Sequence, residues 1–148
     1  METLSPIGKV FHAGTLAGNP MATAAGLAAL SVLTSDVYAE IERRSERLAA
    51  LLGEGARSAG LPLSVSRVGT LTGIFMGDAL SGRAPVDFDE SKRTDEKLYA
   101  RLFHAALAEG IAMAPGAYEA LFVGLGHDDS VLDDLAERFA RAAVVATR

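Results

Sequence analysis

The alternation of apolar and polar positions along the chain predicts four helical stretches. Residues 21–33 are almost entirely apolar, which predicts a helix buried around its whole circumference. From Asp36 to about Ser58, apolar residues recur at helical spacing between Glu and Arg residues. Two further amphipathic helices are predicted, one opening at Thr94 or Asp95 and one behind Ser130.

The predicted helix ends carry residues that suit them chemically. Asn19 is the expected N-cap of the first helix, with Pro20 at its first position. Gly60 and Gly110 follow the second and third helices, where a left-handed residue commonly ends a helix. The stretch 130–133, Ser-Val-Leu-Asp, resembles a capping box for the last helix.

The stretches between the helices have the pattern of short strands. Residues 63–76 alternate and are interrupted at Gly69, which predicts a hairpin or bent ladder. Two apolar runs, 111–115 and 121–125, predict two more strands, and residues 77–94 predict the longest loop. The fold class is therefore α+β, with a small, mainly antiparallel sheet that has helices on one face and a long helical segment before it.

Composition narrows the classes of function. The chain has 148 residues, a formal net charge of −5 and 6% aromatic residues without tryptophan. An acidic chain with few aromatic residues is a poor candidate for nucleic-acid binding. The absence of cysteine excludes disulfides, thiolate nucleophiles and Cys-based metal sites. No histidine spacing suggests a metal site, so no metal is expected.

The sequence gives no indication of membrane association or export. No apolar run approaches the roughly 20 residues of a membrane span. The N-terminal residues lack the charged and apolar regions of a signal peptide. We therefore expect a cytoplasmic protein without a membrane partner, and the abrupt approach of residues 1–4 to the glycine-rich stretch suggests that sequence precedes it.

The stretch AGTLAGNP, residues 13–20, has unusually little side chain for the entrance to a long helix. It lacks the ending of a Walker A loop and the spacing of a dinucleotide fingerprint. Gly14 and Gly18 would let backbone amides approach a ligand, Thr15 offers a hydroxyl, and a helix N-terminus follows. Two interpretations stay open on the residues alone: a turn that caps the helix, or a site for an anion.

Other chemistry-bearing residues are few. His104 is interpreted as structural, His127 as structural with a cleft-facing role as the alternative, and His12 is undecided. Glu119 lies in the apolar context APGAYEALF, where an acid is commonly ion-paired or at the edge of a site. No Ser/His/Asp arrangement is indicated.

Two segments resemble a known family. AGTLAGNPMATAAGLAAL resembles the stretch after the cofactor lysine in class III, pyridoxal-phosphate (PLP)-dependent aminotransferases of fold type I. The segment from Asp95 to Leu135 resembles the end of the glutamate-1-semialdehyde 2,1-aminomutases, which form 5-aminolevulinate for tetrapyrrole synthesis. The resemblance implies a homodimeric, PLP-dependent isomerase acting on a small amino substrate, with this chain similar to its C-terminal portion.

The resemblance also assigns residues. Thr15, with Gly14, matches the position that contacts the PLP phosphate of the neighbouring subunit, and Glu119 matches a glutamate near the substrate or gate. An acid there suits a substrate amine, whereas many class III transaminases of 2-oxo acids carry an arginine in this region. Where the family motif reads APSQFEAGF, this chain reads APGAYEALF. The difference leaves two alternatives open: the chain belongs to a diverged subgroup, or the enzyme acts on a different amino substrate.

The Schiff-base lysine of the family precedes the GT motif and has no counterpart among Lys9, Lys92 and Lys97. No catalytic residue is therefore assigned, and we expect the chain alone to be inactive. The expected organisation is a phosphate-contact segment at 1–19, linking helices at 20–60 and a C-terminal α+β domain at 61–148. The alternatives are part of a class III transaminase that uses a 2-oxo acid, and a non-catalytic α+β interaction module.

Overall fold

The structure, a computed structural model, describes residues 2–148. The chain divides into two compact units, one ending at Val37 and the other comprising Tyr38–Arg148. No single helix in the described part of the chain is both long and apolar enough to cross a membrane.

The first unit is dominated by helix α1, Pro20–Val32. Asn19 caps it as predicted, because its side-chain oxygen accepts hydrogen bonds from the amides of Met21 and Ala22, at 3.0 and 3.2 Å. The prediction that this helix is buried is wrong, since none of its residues is buried. An apolar composition favours burial, but within its own unit the helix has no second layer to pack against.

Helix α2, Ser35–Ala59, is amphipathic and directs Leu48, Leu52 and Ala56 into the core of the second unit. It begins beside Thr34, whose hydroxyl oxygen accepts the amide of Val37 at 3.4 Å. It ends where predicted, because Gly60 adopts φ 67°, a left-handed conformation that costs glycine little.

The sheet is a hairpin of β1, Leu63–Val68, and β2, Leu71–Met76. The strands are antiparallel, with Leu63 opposite Met76 and Val68 opposite Leu71. This confirms the predicted hairpin and the α+β class.

The prediction of two further strands, at 111–115 and 121–125, is wrong, because β1 and β2 are the only strands among the described residues. Leu121 makes a single antiparallel bridge to Thr72, with reciprocal N···O distances of 3.1 and 2.7 Å. Pro115 has no amide to donate, and a short apolar run does not by itself supply a strand neighbour.

The loop predicted at 77–94 is partly ordered into helix. It contains a 3-10 turn at Asp78–Leu80 and the one-turn helix α3, Phe88–Ser91. Asp87 caps α3, because its side-chain oxygen accepts the amide of Glu90 at 2.8 Å.

Two longer helices complete the second unit. Helix α4, Glu96–Ala108, is capped by Asp95, and Gly110 beyond it adopts φ 81°. Helix α5, Asp129–Ala146, is capped by Asp128, whose carboxylate accepts the amides of Ser130 and Val131. The predicted capping box beginning at Ser130 is therefore wrong, because Ser130 already lies inside the helix and its hydroxyl donates to Asp128 at 2.6 Å.

The core of the second unit joins α2, the hairpin, α4 and α5. Phe139, Met76, Leu102 and Leu132 are among its largest fully buried apolar side chains. It also contains one buried hydroxyl pair, Ser45 and Thr72, whose side-chain oxygens lie 3.1 Å apart and satisfy each other. At the surface, Arg43 and Arg47 of α2 form ion pairs with Asp129 at the start of α5, and Arg47 also pairs with Asp133.

Candidate functional site

Residues 13–19 form two consecutive turns ahead of α1. The amide of Ala17 donates to the carbonyl of Gly14 at 3.0 Å, and the amide of Asn19 donates to the carbonyl of Leu16 at 3.1 Å. Gly14 and Thr15 are both exposed, and Gly18 adopts φ 75°. The glycines keep the surface around the Thr15 hydroxyl free of bulky side chains, so an anion can approach the hydroxyl and the backbone closely.

The N-terminus of α1 itself is already satisfied by its own chain. Pro20 has no N–H, Asn19 accepts the amides of Met21 and Ala22, and the amide of Thr23 donates to the carbonyl of Asn19 at 2.9 Å. Few of the donors that usually bind an anion at a helix N-terminus are left for a ligand. The anion-binding interpretation therefore rests on Thr15 and the turn before the helix.

Glu119 lies in a turn that follows the unpaired segment 111–115. Its amide donates to the carbonyl of Gly116 at 3.3 Å. Its side chain folds back over Gly116, since a Cβ atom built on that glycine would stand 2.7 Å from Oε1 of Glu119. The residue as a whole is exposed, so its carboxylate is available to a ligand.

Three contacts hold this turn in place from different sides. The hydroxyl of Tyr99, on α4, donates to the carbonyl of Ala114 at 2.6 Å. The hydroxyl of Tyr118 donates to the carboxylate of Glu96 at 2.8 Å. The backbone of Leu121 exchanges two hydrogen bonds with Thr72 of β2. Tyr99, Tyr118 and Gly116 carry no local sequence signal, because each matters only through a contact distant in sequence or through missing side-chain volume.

The carboxylate of Glu119 is not used in an ion pair within residues 2–148. Its charge is felt by Tyr99, whose pKa is raised first by burial and second by the nearby negative charge of Glu119. The arrangement presents one unneutralised carboxylate on a fixed turn, which suits recognition of a cation.

The three histidines take different positions. His104 is exposed on α4 with its ring edge-on to Phe103, at 5.3 Å between ring centroids. His127 accepts the amide of Gly124 at its Nδ1 atom, at 3.1 Å, and also lines a cavity. His12 is exposed in the first unit. Within the described residues, no three His, Asp or Glu side chains are placed to hold a metal ion.

Three cavities of the second unit have walls that include neither Thr15 nor Glu119. One, of about 970 Å³, lies between α2, β1 and residues 78–84, and the buried hydroxyl of Ser64 on its wall has no partner among the described residues. A second, of about 310 Å³, is mostly apolar and is bordered by His127. The third, also about 310 Å³, lies beside Phe75, Phe88 and Tyr118.

Comparison with known proteins gives a consistent picture. No family model matches the chain. A glutamate-1-semialdehyde 2,1-aminomutase 2 from Shouchella clausii (strain KSM-K16) is 38% identical over 133 residues, which is 90% of this chain and 30% of that protein. The chain therefore spans about a third of the length of this relative.

Solved structures agree on the fold. An omega-transaminase from Sphaerobacter thermophilus matches 95% of the chain with a TM-score of 0.73 and 24% identity, over 31% of its own length. A transaminase with PLP bound matches 93% of the chain with a TM-score of 0.70 and 21% identity, over 30% of its own length. The resemblance found in the sequence is thereby confirmed: nine-tenths of this chain is similar to about a third of a glutamate-1-semialdehyde 2,1-aminomutase, and its fold is one that PLP-dependent transaminases contain.

Proposed function

We propose that the chain acts as the C-terminal part of a PLP-dependent glutamate-1-semialdehyde 2,1-aminomutase, a cytoplasmic homodimer that forms 5-aminolevulinate. The observation that carries this proposal is the 38% identity to an aminomutase over 90% of the chain. We propose that residues 1–19 are a phosphate-contact segment and that residues 61–148 form the C-terminal domain. Residues 20–60 are the helices that link the two.

Thr15 and Gly14 would hold the phosphate of the cofactor bound to the neighbouring subunit. Both are exposed, and the two turns at 14–19 leave room for a phosphate beside the Thr15 hydroxyl. The residues present therefore fit the group. When bound, PLP supplies the electron sink for amino transfer, and this segment would contribute binding and orientation only.

Glu119 would contact the ammonium group of the substrate. Its exposed carboxylate has no ion-pair partner within the described residues and sits on a turn that three contacts fix. A carboxylate attracts an amine and repels the carboxylate of a 2-oxo acid, so the charge favours an aminomutase over a transaminase that needs such an acceptor.

The lysines of the chain do not supply the Schiff-base residue. The resemblance places that lysine well before the GT motif, and the chain contains only Lys9, Lys92 and Lys97. We therefore propose that catalysis requires a further part of the polypeptide and that these 148 residues alone are inactive.

The coding DNA upstream of Met1 provides the first test. We expect it to encode a lysine at the end of a strand within a larger domain. The complete gene product should absorb as a PLP enzyme and release 5-aminolevulinate from glutamate-1-semialdehyde without an added amino acceptor. Strict dependence on a 2-oxo acid would identify a transaminase instead, and a complete product that ignores PLP would support a non-catalytic module.

A further inference from the structure

Strand β1 has one free edge. Thr72 of β2 exchanges two backbone hydrogen bonds with Leu121, so its N–H and C=O point away from β1. Arg67 is opposite Thr72, and both members of such an antiparallel pair direct their backbone groups outward. Outward positions recur every second residue, so Leu63 and Val65 also direct N–H and C=O away from β2. Within residues 2–148, neither of them has a backbone partner on that side.

The cavity of about 970 Å³ lies beside this part of β1, and we call it the β1 groove. Its walls are β1, residues 78–84 and one flank of α2. That flank carries Ala49, Ala50 and Gly53, whose small side chains leave space next to the strand. Neighbouring strands of a sheet lie about 4.8 Å apart, and ligand sites measure roughly 300–1,000 Å³. The groove is therefore large enough for a short extended piece of polypeptide.

The edge of β1 lacks the features that usually prevent strand pairing. Exposed edge strands are commonly protected by a proline, a bulge or charged side chains. In the groove β1 presents Leu63, Ser64 and Val65, and its pairing with β2 is regular along its whole length. An unprotected edge that stays open invites aggregation, so a permanent occupant from the same polypeptide suits it better than a transient partner.

The charges around the groove favour a basic residue in that occupant. Glu54 and Arg57 on its wall neutralise each other in an ion pair of 2.9 Å. Asp78, on the same wall, joins no ion pair within residues 2–148. Gly60 and Leu61, just beyond the end of α2, also line the groove, and the C-terminus of a helix attracts positive charge.

We propose that the β1 groove holds an extended segment of the complete polypeptide from outside these 148 residues. The segment adds a strand to β1 by bonding to the N–H and C=O groups of Leu63 and Val65, and it places a basic side chain near Asp78. This chain covers 30% of the aminomutase that it resembles, so most of that protein lies outside the matched part. The existence of the segment rests on the proposed function, whereas the free edge rests on the geometry alone.

Residue-resolved amide exchange in the 148-residue chain and in the complete protein tests the docking. In the 148-residue chain the amides of Leu63 and Val65 should exchange fast, because they have no partner. In the complete protein both should exchange at least about 100-fold more slowly, because the added strand bonds to them. The amides of Ser64 and Ser66 point towards β2 and are the internal reference, protected in both proteins.

A bulky side chain on the helix wall should expel the segment. Ala50 is exposed in the groove, so Ala50→Trp should leave the stability of the 148-residue chain unchanged. In the complete protein it should return the exchange of Leu63 and Val65 to the fast rates of the 148-residue chain. Glu46→Trp is the matched control, because Glu46 is exposed one turn earlier on α2 and outside the groove, and it should leave both amides protected.

Two results would overturn the inference. Fast exchange of Leu63 and Val65 in the complete protein would show that no strand is added. Slow exchange already in the 148-residue chain, lost on dilution, would assign the edge to a second copy of the chain instead. The proposed function is decided separately: a complete protein that releases no 5-aminolevulinate but protects both amides disproves the function and keeps the docking, and an active enzyme with fast exchange does the reverse.

Discussion

The hydroxyl of Tyr99 donates a hydrogen bond of 2.6 Å to the backbone carbonyl of Ala114, fifteen residues further along the chain. Tyr99 is 2% exposed, so its ring belongs to the core while its polar end reaches the candidate site. This bond connects helix α4 to the segment that carries Glu119, and it makes the stability of the core and the order of the site interdependent.

Tyr99→Phe should lower the free energy of unfolding by about 1 kcal/mol, because it removes one hydrogen bond and keeps the ring. Urea unfolding measures the loss, and amide exchange in residues 116–120 should become faster. Tyr38→Phe, at a position 54% exposed, is the control and should have no effect on stability. Equal stability of the two variants would show that the Ala114 contact contributes nothing.

We expect substitutions at Ser45 and Thr72 to be strongly coupled in their effects on the free energy of unfolding, because their buried hydroxyls bond to each other. Ser45→Ala should cost about 1–3 kcal/mol of unfolding free energy, because it leaves the Thr72 oxygen buried without a partner. Adding Thr72→Val should cost little more, since the unsatisfied oxygen is then removed as well. A urea double-mutant cycle measures this, with exposed Ser58→Ala as control. Strictly additive losses would contradict the prediction.

Two glycines of helix α2 should respond to alanine in opposite directions. At Gly53 a Cβ meets only Arg57, at 3.6 Å, so Gly53→Ala should raise the free energy of unfolding by about 0.5–1 kcal/mol through helix propensity. At Gly55 a Cβ would stand 3.0 Å from Cδ1 of fully buried Phe139, so Gly55→Ala should lower it by about 1–3 kcal/mol. Thermal unfolding of the pair compares them directly, and a shift of the same sign in both would disprove the packing argument.

Acid should destabilise the second unit through the ion pairs of α2. Hydrogen bonds from Arg43 and then Arg44 lower the pKa of Glu40 from its usual 4.5 to about 2. Because the folded pKa lies below the unfolded one, the stabilisation is complete above pH 4.5 and is lost as pH falls from 4.5 towards 2. Arg47 and Arg43 likewise lower the pKa of Asp129, which adds to the same trend.

Between about pH 2 and 6, the free energy of unfolding should therefore depend less steeply on pH in Glu40→Gln than in the parent. The effect should weaken in about 1 M salt, because the groups are at the surface. Glu46→Gln is the control, since Glu46 is exposed on the same helix and joins no ion pair within the described part of the chain. If the unfolding free energy of Glu40→Gln depended on pH as that of the parent does, the loss of stability in acid could not be assigned to Glu40.

The proposed phosphate contact predicts a specific loss of cofactor affinity. Thr15→Val in the complete protein should weaken PLP binding about 10- to 150-fold, because a hydrogen bond to a charged group contributes about 1.5–3 kcal/mol. Equilibrium dialysis with PLP provides the measurement. Thr23→Val is the control, because the Thr23 hydroxyl already donates within α1 to the carbonyls of Asn19 and Pro20. Equal affinity in both variants would exclude Thr15 from the phosphate site.

The sequence predicted features that depend on local chemistry. The cap at Asn19, the end of α2 at Gly60 and the hairpin at 63–76 all follow from neighbouring residues and are confirmed. Local chemistry does not decide between two neighbouring caps: Asp128 and Ser130 both offer an oxygen near the start of α5, and Asp128 is the residue that caps it.

Features that depend on distant partners could not be predicted. The apolar residues of α1 predicted burial, but burial depends on the surface opposite, which composition does not specify. The Tyr99 bond to Ala114 and the space above Gly116 join elements far apart in sequence or depend on atoms that are missing. The role proposed for Glu119 comes from the resemblance to a family, whereas its contacts are defined only by the fold.

Thr72 bonds to two other segments at once, through its side chain to Ser45 and through its backbone to Leu121. Neighbouring strand positions face opposite sides of the sheet, so a shift of β2 by one residue would leave the buried hydroxyl of Ser45 without a partner. The same shift would move the backbone of Thr72, which anchors the Glu119 turn through Leu121. The alignment of the hairpin thus sets the position of Glu119, which lies two residues before Leu121, so the core that fixes the strand register also fixes where this acidic group stands.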